Sequence, residues 1–267
     1  MNGRFAGKVC VITGASAGIG EAVARRFAEE GAKLVLAART PGPLEKLAAD
    51  LPEGAIAVPC DVGNLADCRK LIDRAVAEFG GIDVLVNNAG ANKRGAIEKH
   101  SPEDLAQMVD VNLRAPIYLT RLALPHLRKR GGAVVGVASL AGFIPLPDSP
   151  VYSATKFGLR AFSLALADQV AGSGVRVSVV SPGPVDTQFI MQEIDDVPDI
   201  VFSQPMSTPD EVAEAIVECA IDGTPERALP SVSGKLATLG YLLPQFSRAL
   251  RPLMEWRGRR AKDRYRR

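Results

Sequence analysis

The sequence predicts an α/β protein: a doubly wound parallel sheet in a single domain. Three observations lead there. Six short apolar runs alternate with amphipathic stretches along the chain. The runs are continuous, as in strands buried on both faces, and do not alternate as in a half-exposed sheet. A glycine-rich turn lies between the first run and the first amphipathic stretch, where such sheets turn over a ligand. At 267 residues and 47% hydrophobic content the chain can bury a substantial core, and no low-complexity linker divides it before the C-terminus.

The first strand is Val9 to Ile12, followed at once by Thr13-Gly-Ala-Ser-Ala-Gly-Ile-Gly20. Ile19, Val23 and Phe27 then recur at helical spacing until Gly31. In this context backbone N–H groups at the helix start can hold a pyrophosphate; the alternative is a tight turn without ligand. Lys33 to Ala38 is the second strand, ending on Arg39 with no acid nearby. An acid there would bind a ribose 2′-hydroxyl, whereas an arginine can take a 2′-phosphate. Arg39 therefore favours NADP(H) over NAD(H), against the alternative of a merely solvated arginine. The turn itself (Ala15, Ser16, Ala17) carries no basic residue in support.

Ala55 to Val58 forms the third strand, ending near Asp61, and Leu65 to Phe79 a helix closed by Gly80 and Gly81. The fourth strand, Val84 to Val86, runs into Asn87-Asn-Ala-Gly90 at a C-terminal edge, where open α/β sheets bind ligands. Ser101-Pro-Glu-Asp104 starts a helix that should reach Arg130 with a bend at Pro116. Asn112 lies inside it, and a polar side chain near a bend is often a local backbone partner. The fifth strand, Ala133 to Ala138, ends on Ser139; the sixth, Val175 to Val180, is closed by Ser181-Pro-Gly-Pro184.

Between these two strands, Ser149 and Pro150 provide an N-cap and first position for a helix that runs to Gly172. Tyr152 and Lys156 stand one turn apart on its face. A phenol with a pKa of about 10 is a poor acid–base group at neutral pH, and a neighbouring ammonium lowers that value. Taken alone, such a pair is more often an ordinary half-exposed helix face.

Two histidines, His100 and His126, make a histidine metal site or a serine–histidine triad hard to assemble. Cys10, Cys60, Cys68 and Cys219 show no metal-ligand spacing and read as reduced packing residues of a cytoplasmic protein. The first apolar run is too short for a signal peptide, and no run has the length of a membrane span. Net charge is +2, but residues 248–267 hold nine Lys or Arg against two acids. Such asymmetry marks a tail with its own behaviour.

Thr13-Gly14-x-x-x-Gly18-Ile19-Gly20, Asp61-Val62, Asn87 to Gly90, Asn112, Ser139, Tyr152-x-x-x-Lys156 and Pro182-Gly183 occur in the order and spacing of the short-chain dehydrogenase/reductase family. The resemblance runs from about Lys8 to Gly223. It implies a Rossmann-type sheet of about seven strands, the last near Arg227 to Val232. It also implies an oxidoreductase that moves a hydride between a nicotinamide dinucleotide and a carbonyl or secondary alcohol. Gly14, Ser16, Gly18, Ile19 and Gly20 would form the pyrophosphate and ribose turn. Asp61 and Val62 would meet adenine, and Asn88 and Gly90 would lie along the adenosine ribose. Pro182, Gly183, Val185 and Thr187 would hold the nicotinamide. Tyr152 would be the acid–base, with Lys156 on the nicotinamide ribose lowering its pKa. Ser139 would polarise the substrate oxygen, and Asn112 would place a water beside Lys156. A homodimer or homotetramer through the helices near 101–130 and 150–170 is implied on the same ground. The competing class is a catalytically silent dinucleotide-binding regulator, which has no need of a proton relay.

The catalytic domain is expected over residues 1–234, with a substrate lid at about 186–208. Phe143, Ile144, Leu146, Phe189, Ile190, Met191, Ile194, Val201 and Phe202 suggest an apolar pocket, half of them serving only to pack the lid. Residues 235–267 carry an apolar stripe (Leu236, Leu239, Leu243, Phe246, Leu250, Leu253) broken by Pro244 and Pro252, then Trp256 and the basic tail. Two readings stand: short helices trailed by a solvated charged end, or a peripheral membrane contact. A nucleic-acid tail lacks the interleaved aromatics it would need.

Overall fold

Strand β1 (Val9–Thr13) is buried at all five positions and lies third in a seven-stranded sheet. Its alternating side chains feed two cores. Ile12 packs with Phe27 and Ile216 on one face; Val11 packs with Leu71 and Leu119 on the other. The computed structural model describes residues 3–52 and 54–266. The side chains of Phe246 and Ser247, and Arg267 of the basic tail, lie outside the described residues.

The remaining strands are β2 (Lys33–Ala38), β3 (Ala55–Pro59), β4 (Val84–Asn87), β5 (Ala133–Val137), β6 (Arg176–Pro182) and β7 (Glu226–Leu229). All pair in parallel in the order β3-β2-β1-β4-β5-β6-β7. This is the seven-stranded Rossmann-type sheet that the resemblance implies. The last strand ends earlier than expected, because Pro230 and Ser231 already begin the next helix.

Helices α1 (Gly18–Glu29) and α8 (Pro209–Asp222) pack together on the first face, with α2 (Pro41–Asp50) beside them. Helices α3 (Leu65–Phe79), α5 (Ala115–Arg130) and α6 (Pro150–Gln169) cover the other. The expected helix from Ser101 is split into α4 (Pro102–Val109), a π-helical turn over Asp110–Arg114, and α5. Pro116 has no N–H to give the carbonyl four residues back, and the wide turn lies over that gap. Pro125 sits inside α5 as well. Ser149 does precede α6, but its hydroxyl makes no cap bond; it accepts instead from Asn92 Nδ2 at 3.3 Å.

The segment expected to form a lid leaves the sheet after β6 as α7 (Gln188–Met191) and two 3-10 turns, Ile194–Asp196 and Asp199–Ser203. Its two ends are pinned where Val185 pairs with Ser207. The chain closes with α9 (Ser231–Leu242) and α10 (Pro244–Tyr265). The basic tail is therefore not a solvated end: it is the second half of α10, docked on the lid. Gly258 presses its backbone against Asp199 O, leaving no space for a side chain. Lys262 is buried, donating to Val197 O at 2.6 Å and Asp195 O at 3.1 Å, with Asp199 Oδ1 at 3.5 Å.

At the sheet edge away from the lid, Asp83 fastens three elements. Its carboxylate accepts from Val9 N at 2.9 Å, from Arg130 Nη1 at 2.8 Å and from Lys8 Nζ at 3.3 Å. Asp83→Ala is expected to lower unfolding free energy by about 3 kcal/mol, because it strands a buried N–H and breaks a shielded ion pair. Urea denaturation measures the loss; the dinucleotide binding expected at the opposite edge should stay unchanged.

Candidate active site

The turns after β1 and β4 are stitched together. Thr13 Oγ1 accepts from Asn88 N at 3.0 Å and Ala89 N at 3.1 Å, and donates to Val86 O at 3.3 Å. Asn88 Nδ2 donates to Thr13 O at 2.9 Å and Gly14 O at 3.1 Å. Asn88, expected along a ribose, thus spends its amide on shaping the glycine turn. Gly14 and Gly18 adopt φ of 66° and 57°, the left-handed region. Gly20 sits under Gly14 O, and a Cβ there would lie 2.7 Å from Asn88 Nδ2. The N-cap of α1 is Ala17, so no side chain caps the first N–H groups of the helix, and Ser16, Gly18 and Ile19 line the cleft there. A bare, glycine-walled helix start fits a pyrophosphate.

The cleft holds about 2310 Å³, more than one small molecule occupies. At one end Arg39 is exposed, with no ion-pair partner among the described residues, near Asp61 and the buried Val62. Asp61 Oδ1 accepts from Gly63 N at 2.9 Å, which holds the loop after β3. Toward the other end lie Gly90, Pro182, Gly183, Val185 and Thr187. The Thr187 methyl stands 3.1 Å from where a Cβ on Gly18 would be, so the loop after β6 closes over the glycine turn.

Ser139, Tyr152 and Lys156 meet between these ends. The Ser139 hydroxyl accepts from Ala141 N at 3.1 Å and faces the Tyr152 phenol. Gly142 lets this loop lie on α6, since a Cβ there would come within 2.8 Å of Lys156 O. Lys156 is 4% exposed and donates to Val137 O at 2.8 Å. Burial brings its pKa down to about 8. The Tyr152 pKa, expected to be lowered, is raised here. Burial pushes the phenol up, and the opposing influences are Ser139 and Arg94. Helical spacing does align the two stems, but the ammonium is drawn to the carbonyl at the end of β5, with Nζ 5.6 Å from the phenol ring centre.

Asn112 stands behind the cleft wall, fully buried. Its Oδ1 accepts from Ala91 N at 2.8 Å; its Nδ2 donates to Ala91 O at 2.8 Å and to Thr155 Oγ1 at 3.1 Å. It is a partner of distant backbone, not of its own bend. Gly90 passes between Asn112 and Lys156: a Cβ there would be 3.6 Å from Asn112 Oδ1 and 3.7 Å from Lys156 Nζ.

Sequence reasoning missed Arg94. It lies in a polar loop with no periodic or motif signal, yet its side chain is 5% exposed. It pairs with Glu193, donates to Phe189 O at 3.1 Å and stacks over the Phe189 ring. It therefore ties the lid to the β4 loop beside Tyr152. Of the apolar residues expected in the pocket, Ile144, Leu146, Phe189, Ile190 and Val201 line the cleft. Phe143 is instead buried under Arg160, and Phe202 lies against Tyr265 of α10.

The fold and this cleft define a dinucleotide-binding enzyme of the Rossmann class. The sequence matches the short chain dehydrogenase family profile over residues 8–198. An uncharacterised oxidoreductase of Staphylococcus saprophyticus is 39% identical over 186 residues, 68% of this chain and 76% of that protein. One from Staphylococcus aureus is 39% identical over 182 residues, 67% of this chain and 79% of that protein. Among solved structures, a 3-ketoacyl-(acyl-carrier-protein) reductase from Brucella melitensis, complexed with NADH, superposes with TM-score 0.77 at 31% identity, covering 84% of this chain and 97% of that one. An L-sorbose reductase from Gluconobacter frateurii, complexed with NADPH and L-sorbose, gives 0.75 at 30%, covering 85% and 97%. The chain belongs to the short-chain dehydrogenase/reductase family of NAD(P)-dependent oxidoreductases.

The depressed pKa of Lys156 has a thermodynamic consequence. Between about 8 and its ordinary 10.5 the unfolded chain binds a proton that the folded chain has released, so stability rises with pH in that window. Lys156→Met removes this rise. The stability advantage of the wild type over the variant should grow by about 2 kcal/mol from pH 7 to pH 10. Urea titrations without cofactor measure it; a constant difference would refute the buried, proton-shedding lysine.

Proposed function

We propose that the protein is an NADP(H)-preferring reductase or dehydrogenase that interconverts a carbonyl and a secondary alcohol on an apolar substrate, with Tyr152 as general acid–base. The observation that carries this reading is the convergence of the Ser139 hydroxyl and the Tyr152 phenol in the cleft, beside a buried Lys156. When bound, the nicotinamide dinucleotide supplies the hydride for reduction and accepts it in the reverse direction. Gly14, Ser16, Gly18, Ile19 and Gly20 hold its pyrophosphate end, and Pro182, Gly183, Val185 and Thr187 its nicotinamide end. Asp61 and Val62 flank the adenine, and Asn88 and Gly90 border the ribose.

In the reductive direction the Tyr152 phenol passes its proton to the carbonyl oxygen as negative charge develops there. The Ser139 hydroxyl donates a hydrogen bond to that same oxygen. A raised phenol pKa keeps Tyr152 protonated for this step. In the oxidative direction it works against the enzyme, because the phenolate must form first. Lys156, beside it, holds the cofactor ribose. Asn112 uses both N–H donors on protein but retains an Oδ1 lone pair for a water toward Lys156.

Arg39 supports the 2′-phosphate of NADP(H), since the second strand ends on a free guanidinium and no acid. The apolar cleft lining supports a hydrophobic substrate. We assign residues 1–234 to catalysis, with a lid over about 186–208, and infer a homodimer or homotetramer through α4–α5 and α6. The four free, buried cysteines suit a reducing cytoplasm.

Tyr152→Phe should lower kcat by about a hundredfold or more while leaving NADPH affinity within about threefold. Stopped-flow turnover over a ketone and alcohol panel, with fluorescence titration of NADPH, measures both; full turnover would sink the mechanism. Arg39→Ala should weaken NADPH binding roughly tenfold and NADH binding little. Equal losses, or a wild-type preference for NADH, would overturn the cofactor assignment.

A further inference from the structure

Helices α9 and α10 lie beyond the part of the chain that matches the family profile. They expose more large apolar surface than any other part: Leu236 at 62%, Leu242 at 68%, Leu243 at 50%, Leu253 at 54% and Trp256 at 52%. Helix α10 has two faces of different use. Its inner face, Gly258 and Lys262, is docked on the lid. Its outer stripe, at helical spacing, reads Leu250, Leu253, Arg257, Arg260 and Arg264. These three arginines have no acidic partner among the described residues, and the two acids of the helix are taken: Glu255 by Arg251 at 2.6 Å and Asp263 by Arg266 at 3.5 Å. Arg260 stacks on Trp256 at 4.2 Å.

An apolar patch of this size calls for a cover. A second copy is a poor one, because a two-fold contact would set this unpaired positive stripe against itself. No described helix is long and apolar enough to cross a membrane, so a bilayer contact would lie in the interface plane. There, leucines and an indole enter the acyl boundary while arginines meet anionic headgroups. We propose that the outer face of α9 and α10 is a docking surface for an anionic lipid bilayer. Leu236, Leu250, Leu253, Met254 and Arg257 also line the cleft. Docking then opens the cleft toward the lipid, which suits an apolar substrate; that consequence rests on the proposed oxidoreductase reading, whereas the docking itself does not.

Trp256 is the only tryptophan of the chain and reports its own immersion. The full-length protein should co-sediment with phosphatidylglycerol–phosphatidylcholine vesicles, shift its tryptophan emission to the blue, and be quenched by brominated acyl chains. Raised salt should release it. Arg260→Glu/Arg264→Glu should weaken co-sedimentation at least tenfold, and Leu242→Asp likewise; unchanged thermal melting and NADPH binding would show that each variant is folded. No sedimentation, equal binding to pure phosphatidylcholine, or a self-association abolished by Leu242→Asp in the absence of lipid would overturn the proposal. Vesicle binding is read without substrate and turnover without vesicles, so the docking surface and the catalytic reading fail independently.

Discussion

The cleft depends on one knot of hydrogen bonds, the one joining Thr13 to Asn88. At the centre of the sheet the chain order reverses: β1 leads outward to β2, and β4 leads the other way to β5. The turns that follow β1 and β4 must part there, and a crevice is the geometric result. Left alone, two diverging loops would carry unpaired backbone groups at the mouth of a parallel sheet. Thr13 Oγ1 satisfies two N–H groups of the second loop, and Asn88 Nδ2 two carbonyls of the first. The crevice is thereby held open at a fixed width. Gly20, with no side chain, is what lets α1 begin so close beneath it.

Burial sets the proton chemistry at the other end. A phenol and an ammonium withdrawn from water are each driven toward the neutral form, the phenol by holding its proton and the lysine by shedding one. Ser139 and Arg94 work against this for the phenol. The protein's contribution is to place the two groups, with Val137 O fixing the ammonium and Gly142 letting the Ser139 loop press on α6. The Tyr–Lys pair is therefore not a self-contained acid–base unit. Its behaviour belongs to the enclosure.

The parts legible in the sequence are those governed by local rules. Continuous apolar runs marked six strands because both faces of the sheet are covered, and glycine spacing marked the turn because only glycine tolerates those angles and approaches. The family resemblance implies the seventh strand a little too far along, since a four-residue edge strand has little pattern of its own. What escaped was long-range. Arg94 reaches the lid 95 and 99 residues away, and Asn112 serves Ala91 and Thr155. Neither contact has a period or a motif. The direction of the Lys156 ammonium escaped for a related reason, because helical spacing aligns the base of a long side chain but not its tip.

The C-terminal helix was half legible, and the missing half is instructive. The sequence holds an acidic segment, with Glu193, Asp195, Asp196 and Asp199, and a basic tail, and nothing in it joins the two. Opposite charge at a distance says nothing about geometry, but helical periodicity does. Positions 258 and 262 share a face with 255 and 265 or 266, and that face meets the lid through Gly258, Lys262, Tyr265 and Arg266. Arginines spaced from Leu250 and Leu253 fall on the other side. A solvated tail needs neither a glycine at the point of closest approach nor a buried lysine aimed at three lid acceptors. One helix thus sorts its charges by face, half to hold the lid over the cleft and half turned outward with the exposed leucines. Whatever the outer face meets is mechanically joined, through 258 and 262, to the segment around Asp195 to Asp199.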